Sequence, residues 1–495
     1  MRRLCTIAFF VTLLVPLLFA EDNETCLSCH GQNIEGVPQV DSNALGDSVH
    51  RGNACVSCHV EAAEIPHPSN PQSKLSRARV PETCGKCHKN VRSAYEKSVH
   101  GKAARAGIRE APVCTDCHGE HTIRSVKDPA SSAYVGAITK TCIGCHESEK
   151  IASKFHLPTD RFKTYRDSYH GLAATGGDLH VANCASCHGW HDVLPSQDAQ
   201  SSVNQRNLPQ TCGKCHSGVR SQLLQGKIHG GKTAEKHFLI RWVKLFYLIL
   251  IPVLIGGMLV HNSADYIRKA FFRSGRGPAV PAHELTVLRM SLNERIQHGL
   301  LLAAFITLAY SGFALKFPDL WWALPFKLAG GEALRKGVHR WTALIFVLAG
   351  VFHLAYMAGT RRGRFLLRRR LLPKVRDLFD PFRHLFYNLG WRGRRPSLAY
   401  PSYVEKMEYL TLFWGSVIMI LTGSLLVFND LTLKHFPMWA SELATLVHYY
   451  EAILACLSVL VWHFYWTIFD PDVYPMNMSW LTGFLKLRPK DRPPE

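Results

Sequence analysis

The chain has 495 residues, 47% of them hydrophobic, and carries 58 Lys and Arg against 38 Asp and Glu, a formal charge of +20. So basic a balance raises nucleic acid as a partner, but much of the excess lies in loops between long apolar runs, which assigns it to membrane topology and excludes the nucleic-acid reading. The 16 Cys and 26 His are too regularly placed to be scattered core residues.

Met1-Arg2-Arg3 precedes an apolar run from Leu4 to Phe19, and the small residue Ala20 precedes Glu21-Asp22. This is the pattern of a secretory signal peptide over residues 1–20, and it places the chain from Glu21 onward outside the cytoplasm. Between Cys26 and Cys215, fourteen Cys form seven Cys-x-x-Cys pairs, each succeeded at once by His. The motifs are Cys26/Cys29/His30, Cys55/Cys58/His59, Cys84/Cys87/His88, Cys114/Cys117/His118, Cys142/Cys145/His146, Cys184/Cys187/His188 and Cys212/Cys215/His216. Two thiols at this spacing can each form a thioether to one vinyl group of a haem, and the adjacent imidazole then lies under the iron. Zinc ligation, a redox dithiol and a disulfide framework also use paired Cys, yet none requires a His after every second one. Seven covalently attached c-type haems are therefore expected. Cys5 and Cys456 sit in apolar segments and read as inert core residues.

Residues 21–236 hold no long apolar stretch and supply roughly 30 residues per motif, too few for an ordinary core. The expected fold of this periplasmic heptahaem cytochrome c domain is short helices and loops around stacked haems. An imperfect repeat runs through it: a motif, a Ser-x-His element, then a second motif. It appears as Cys84 to His88, Ser98-Val-His100-Gly101 and Cys114 to His121, and again as Cys142 to His146, Ser168-Tyr-His170-Gly171 and Cys184 to His191. Ten His lie outside the motifs, enough to give every iron a second imidazole. The recurring positions select His50, His100, His121, His170, His191 and His229, while His67, His156, His180 and His237 compete for the last place. Irons with two axial ligands have no vacant site, and no motif has the Cys-x-x-Cys-Lys form, which favours an electron wire over a reductase.

From residue 237 to 470 the character changes. Apolar segments at 239–260, 296–315, 341–357, 410–428 and 443–469 are each near the roughly 20 residues that cross a bilayer, so an all-α bundle of five transmembrane helices is expected. An exported haem domain followed by five crossings puts residues 471–495 in the cytoplasm as a tail. The loops agree with the positive-inside rule: Arg268, Lys269, Arg273 and Arg276 come after the first crossing, and eight Arg and Lys between Arg361 and Arg376 come after the third. The expected location is a bacterial inner membrane with the haem domain in the periplasm.

Ionisable residues within spans are functional candidates. His339 and His448 lie near the outer face, and His298, His353 and His463 near the inner one. The 15 residues from His448 to His463 give about 22 Å of helical rise, which suits two stacked b-type haems. The outer haem is assigned to His339 and His448, the inner one to His298 and His463, with His353 as a substitute.

At Arg295-Ile-Gln-His298, Ser311-Gly312, Gly337-Val-His339, Glu405-Lys406, Thr422-Gly423, His448 and His463-Phe-Tyr465, residues 285–470 resemble the di-haem cytochrome b subunit of formate dehydrogenases and nickel–iron hydrogenases. The resemblance implies ligand roles for His298, His339, His448 and His463, although the interval from His448 to His463 is one residue longer than the expected pattern. The front half resembles the small multihaem cytochromes c of metal-, sulfate- and nitrate-reducing bacteria. In this order, the whole chain is similar to the inner-membrane multihaem c and di-haem b quinol oxidoreductases of metal-reducing bacteria.

That similarity implies oxidation of menaquinol, with electrons passing through the b haems and c haems to a periplasmic c-type cytochrome in anaerobic respiration. The partners are then the quinone pool and the lipid bilayer, with partner redox subunits or a homo-oligomer as further associations. His261, Asn262 and Asp265, with Glu405 or Glu408, are the polar candidates for a quinone site. Reverse flow from a periplasmic dehydrogenase or hydrogenase to quinone is the alternative direction, and a non-catalytic haem scaffold or sensor a third reading. Pyridine haemochrome analysis should give seven haems that survive acid–acetone extraction and two that do not; the absence of extractable haem would remove the membrane half of this reading.

Overall fold

A computed structural model describes residues 23–63, 77–157, 161–218, 238–272, 285–391, 396 and 401–487. The chain falls into two compact units, residues 1–151 with 183–201, and residues 152–182 with 202–495.

The first unit is made of short helices joined by turns, several of which carry a motif: Asn23–His30, Cys55–Cys58, Cys114–His118, Ile138–His146 and Cys184–His188. Its described buried apolar residues are mostly Ala and Val, such as Val80, Ala111, Val113, Ala133 and Ala185. Side chains this small enclose little core of their own. Each recurring residue has a physical task. Ser98 caps the helix Val99–Arg105 by accepting the Gly101 N–H at 3.1 Å. Gly101 lies against the backbone of Tyr95 and Glu96, where a Cβ would collide. Backbone bonds from Val49 to Ile123 (2.8 Å) and from Val99 to Val193 (2.9 Å) join successive copies in the same way. After Cys114–His118 and Cys184–His188, Gly119 and Gly189 take φ of 82° and 85°, turning the chain back so that His121 and His191 come soon after.

The second unit repeats the cap, with Ser168 accepting the Gly171 N–H at 3.2 Å at the start of Tyr169–Thr175. It also holds five helices long and apolar enough to cross a membrane: Phe238–Phe271, Leu292–Lys316, Gly331–Gly359, Tyr403–Val427 and Met438–Phe469. Their outward residues, among them Trp242, Val253, Leu348, Val351 and Leu421, are exposed, as a lipid-facing surface requires. The second and fourth spans begin at capping boxes, Ser291 with Glu294 and Ser402 with Glu405.

Three features differ from expectation. The first span continues to Phe271 because its polar residues after Val260, His261, Asn262 and Asp265, are buried against other helices instead of ending the helix. The helix Val375–Asn388 between the third and fourth spans buries Asp377, Asp380, His384 and Asn388 and exposes Val375, Leu378, Phe379 and Phe382. The segment after residue 470 contains a strand that the sequence did not announce: β2 (Phe484–Leu487) pairs antiparallel with β1 (Leu285–Leu288), joining the start of the second span to the segment after the fifth.

Candidate functional site

Motif histidines are brought opposite the histidines of the repeat. Ring centroids are 6.1 Å apart for His50 and His88, 6.0 Å for His59 and His121, 6.1 Å for His100 and His146, and 6.1 Å for His118 and His191. In the second unit His170 and His216 are also 6.1 Å apart. Directly stacked rings would approach to about 4 Å. An iron between two imidazoles needs two bonds of about 2.0 Å and about 1.1 Å more from each nitrogen to its ring centre, which totals about 6.2 Å. The spacing therefore fits a bis-histidine haem.

The pairs obey a rule. Each Ser-x-His histidine skips the next motif and faces the one after it, whereas His121 and His191 face the motif two places back. Burial holds His100 at about 4 and keeps His59, His118, His146, His170 and His191 below the ordinary value. The neutral ring, the form with a lone pair for metal, is thus the one present near neutral pH.

The two cysteines of a motif are not placed alike. First thiols of neighbouring motifs interact with one another: Cys26 with Cys55, Cys84 with Cys114 and Cys142 with Cys184. Second cysteines also have neighbours in other motifs, Cys58 with Cys84 and Cys87, and Cys117 with Cys145, yet most are more exposed. Cys29, Cys58, Cys87, Cys145 and Cys215 are exposed, and Cys117 and Cys187 are half-buried. Cys29, Cys145 and Cys187 each stand three residues after a first cysteine on one helix, about one turn along the same face. Cys87 lies just past the helix Val80–Gly85, its N–H bonded to the Cys84 carbonyl at 3.3 Å, which keeps the same one-turn offset. The assignment of Cys29, Cys87, Cys145 and Cys187 to haem rests on this offset between two thiols and on the His after each. Among the described residues the motif cysteines form no disulfide.

His30 donates its Nδ1–H to the Pro38 carbonyl at 2.7 Å, and His216 Nδ1 lies 2.7 Å from an Asp430 carboxylate oxygen, contacts of the kind that orient a ligating imidazole. His188 ends the Cys184–His188 helix. His156 takes φ of 51°, and His180 lies two residues after Asp178, whose carboxylate accepts its N–H at 2.9 Å. His229, His67 and His237 lie outside the described residues.

In the membrane half, His339 and His448 have ring centroids 6.4 Å apart. The Ser311 hydroxyl donates to the Thr307 carbonyl (2.6 Å), so its lone pair accepts the His339 Nδ1–H at 2.9 Å. Thr422 repeats this, donating to Ile418 (2.7 Å) and accepting from His448 Nδ1 at 2.9 Å. Both rings are thereby fixed in the tautomer whose Nε2 lone pair is free for iron. The adjoining glycines give the rings room: a Cβ at Gly312 would come within 3.2 Å of His339, and one at Gly423 within 3.3 Å of His448. A cavity of about 1190 Å³ is lined by Lys336, Gly337, Arg340 and Trp341, which lie on a different face of the third span from His339.

At the other end of the bundle His298 is an electrostatic neighbour of His463, whose Nδ1 lies 3.3 Å from a Glu408 oxygen. His463 closes a π-helical turn, Val459–His463, which absorbs one more residue than an α-turn and so accounts for the lengthened interval after His448. His353 is corrected as a substitute ligand. Its Nδ1 bonds to the Gln297 carbonyl oxygen (2.7 Å) and its Nε2 to the Tyr409 hydroxyl (3.1 Å), leaving no nitrogen for metal. Glu405 is taken up by the helix cap, accepting the Ser402 N–H at 2.9 Å.

The candidates His261, Asn262 and Asp265 are all buried and gather partners that sequence reasoning missed: Tyr403, His384, Tyr465, Asn388 and Lys269. Beside those polar residues themselves, the i, i+4 spacing of Asp265 and Lys269 on an otherwise apolar helix was a local signal of this cluster.

Residues 289–474 match the family model of prokaryotic cytochrome b561, and residues 48–93 that of the doubled CXXCH motif. The chain is a membrane electron-transfer protein that carries haem c and haem b. Its multihaem part is similar to the cytochrome c-type protein NrfB of Escherichia coli O6:H1, 26% identical over 175 residues that make up 33% of this chain and 79% of that protein. It is also similar to the multiheme cytochrome MtrA of Shewanella baltica, 30% identical over 145 residues, 28% of this chain and 36% of MtrA, so that only about a third of MtrA is spanned.

Removing either hydroxyl behind the membrane histidines strands a buried N–H at a cost of about 1–3 kcal/mol and typically weakens metal binding about 10–100-fold. Ser311→Ala and Thr422→Val should therefore each lower extractable haem per protein without changing covalent haem, and Ser311→Thr should restore it. Full extractable haem in both variants would show that the hydroxyls do not set the ligand tautomer.

Proposed function

We propose that the chain oxidises menaquinol in the membrane and passes the electrons outward through two b-type haems and seven c-type haems to a periplasmic acceptor cytochrome. It acts as a quinol:cytochrome c oxidoreductase or a subunit of one. The seven motif Cys pairs attach the c-type haems, each with its motif His and, where the rings oppose, His50, His100, His121, His170 or His191 as second ligand. His339 with His448 and His298 with His463 hold the two b-type haems. Haem supplies reversible one-electron transfer, while the polypeptide sets position, burial and hydrogen bonding.

The observation that carries this reading is the fifth span. It presents His448 and His463 to partners on two other helices, His339 on the third and His298 on the second. Beside its π-turn, where Asn262 donates to the Val461 carbonyl at 2.7 Å, lie two buried polar atoms without partners, His261 Nδ1 and Asn262 Oδ1. Buried polar atoms in this condition call for a ligand that hydrogen-bonds to them, and the two hydroxyls of a quinol have the right chemistry. The Arg-rich segment after the third span supports an orientation with this end of the bundle inside and the haem segments outside.

Anaerobic mixing of the full-length protein with menadiol, a soluble menaquinol analogue, should reduce b-type haem first and c-type haem after it. His463→Ala and His448→Ala should each lose one extractable haem and abolish reduction by menadiol, while dithionite still reduces every c-type haem. A His463→Ala protein with both b-type haems and the full menadiol rate would refute the assignment.

A further inference from the structure

The cluster around Asp265 is a continuous chain whose hydrogens can be placed. Asp265 is 1% exposed and only accepts: from Lys269 Nζ and Tyr465 Oη at 2.6 Å, Asn388 Nδ2 at 3.2 Å and His384 Nε2 at 3.2 Å. Burying a carboxylate costs several kcal/mol unless it is compensated in this way. Because Asp265 must receive a hydrogen from His384 Nε2, a neutral His384 has its lone pair at Nδ1. That nitrogen lies 3.0 Å from the Tyr403 hydroxyl, which therefore donates to it. The Tyr403 oxygen in turn accepts the Nε2–H of His261 at 2.9 Å. His261 is left with a lone pair on Nδ1, the buried atom without a partner. All hydrogens thus run one way, from an open acceptor to a buried carboxylate.

We infer that His261 Nδ1 accepts the proton of a quinol hydroxyl and that Tyr403, His384 and Asp265 relay it toward the aqueous face at Asp470 and Asp472. This rests on the quinol reading above and adds to it the fate of the protons. For each quinol O–H that breaks, the proton goes to His261 Nδ1 and the electron to a ferric b-type haem, the oxidant. His261 passes its Nε2 hydrogen to the Tyr403 oxygen, and Tyr403 passes its own to His384 Nδ1. The positive charge then rests on His384 against Asp265, and no heavy atom has moved. Asp265, Asp470 and Asp472 against the single ammonium of Lys269 leave the cluster net negative, which favours the arriving proton.

From Asp265 the path continues through Lys269, bonded to Asp470 at 2.8 Å and 3.8 Å from Asp472, whose side chain is 18% exposed and leads to water. The helix Val375–Asn388, which supplies His384 and Asn388, turns its apolar side outward and shields the chain. The second proton of the quinol takes the same route once the first has left and the hydrogens have reset.

Tyr403→Phe keeps the ring and removes the one oxygen that joins the two histidines, so it is the decisive variant. The full-length protein, reconstituted in liposomes with its haem content verified, would be mixed anaerobically with menadiol in H₂O and in D₂O. Tyr403→Phe should slow menadiol-driven haem reduction at least tenfold and leave dithionite reduction unchanged. In the menadiol-minus-menadione infrared difference spectrum, imidazolium bands identified by ¹⁵N-histidine should be those of His384 in the wild type, and should be shifted in Tyr403→Phe and in His384→Gln, where the charge stays on His261. Wild-type rates, isotope effect and bands in Tyr403→Phe would overturn the relay while leaving quinol oxidation standing. A wild-type protein that dithionite reduces and menadiol does not would overturn the quinol reading and the relay together.

Discussion

Two imidazoles held with their centres 6.0–6.4 Å apart, across a gap that an iron and its two bonds would fill, recur throughout the described residues. This spacing constrains everything else, because an imidazole ligates metal only when its tautomer, its angle and its distance are all fixed. In the multihaem part the local chain fixes them: a serine cap starts the helix, a glycine admits the close approach behind the histidine, and a left-handed glycine returns the chain after the motif. In the membrane part no turn is available, so hydroxyls on neighbouring helices take the role, and Ser311 and Thr422 hold the rings from behind.

The two halves solve the problem of too little core differently. In the first unit the buried apolar side chains are small, so the haems must supply apolar volume that the sequence does not. In the bundle the lipid covers the outward faces, and the interior tolerates buried charge only where it is compensated. Asp265 has four donors, Lys406 is bonded to Asp377 at 2.8 Å, and Arg335 donates to the Ala314 carbonyl at 3.0 Å while bonding to Glu332. Left alone, any of these charges would cost several kcal/mol.

What could be read from the sequence was what is local. The haem motifs, the Ser-x-His-Gly element and the apolar runs each declare themselves within a few residues, and the class of fold follows from them. The pairing of particular histidines did not, because His59 and His121 are joined by the fold and no local spacing states it. The unlike surroundings of the two cysteines in a motif were equally hidden, since Cys84 meets Cys114 only through the fold. The cluster at His261 was half visible: the polar residues late in the first span stood out, but Tyr403 is 142 residues away and nothing local marks His384. Helix ends were also underestimated, since hydropathy stops at the last apolar residue whereas a helix continues while its polar side chains are buried and bonded. The π-turn before His463 lay beyond sequence reasoning except as an interval one residue too long.

The central claim is that histidine pairs occupy both axial positions of the irons, making the protein a wire. Electron paramagnetic resonance of the oxidised full-length protein, with carbon monoxide added to the reduced form, addresses it directly. Near-parallel rings, as in His118/His191 at 19° and His59/His121 at 28°, should give rhombic low-spin signals. The His339/His448 pair at 73° should give a strongly anisotropic low-spin signal, since crossed rings leave two iron d orbitals nearly equal in energy. Carbon monoxide should bind little, whereas a high-spin signal from one or more haems, with rapid carbon monoxide binding, would reveal a vacant iron and contradict the account.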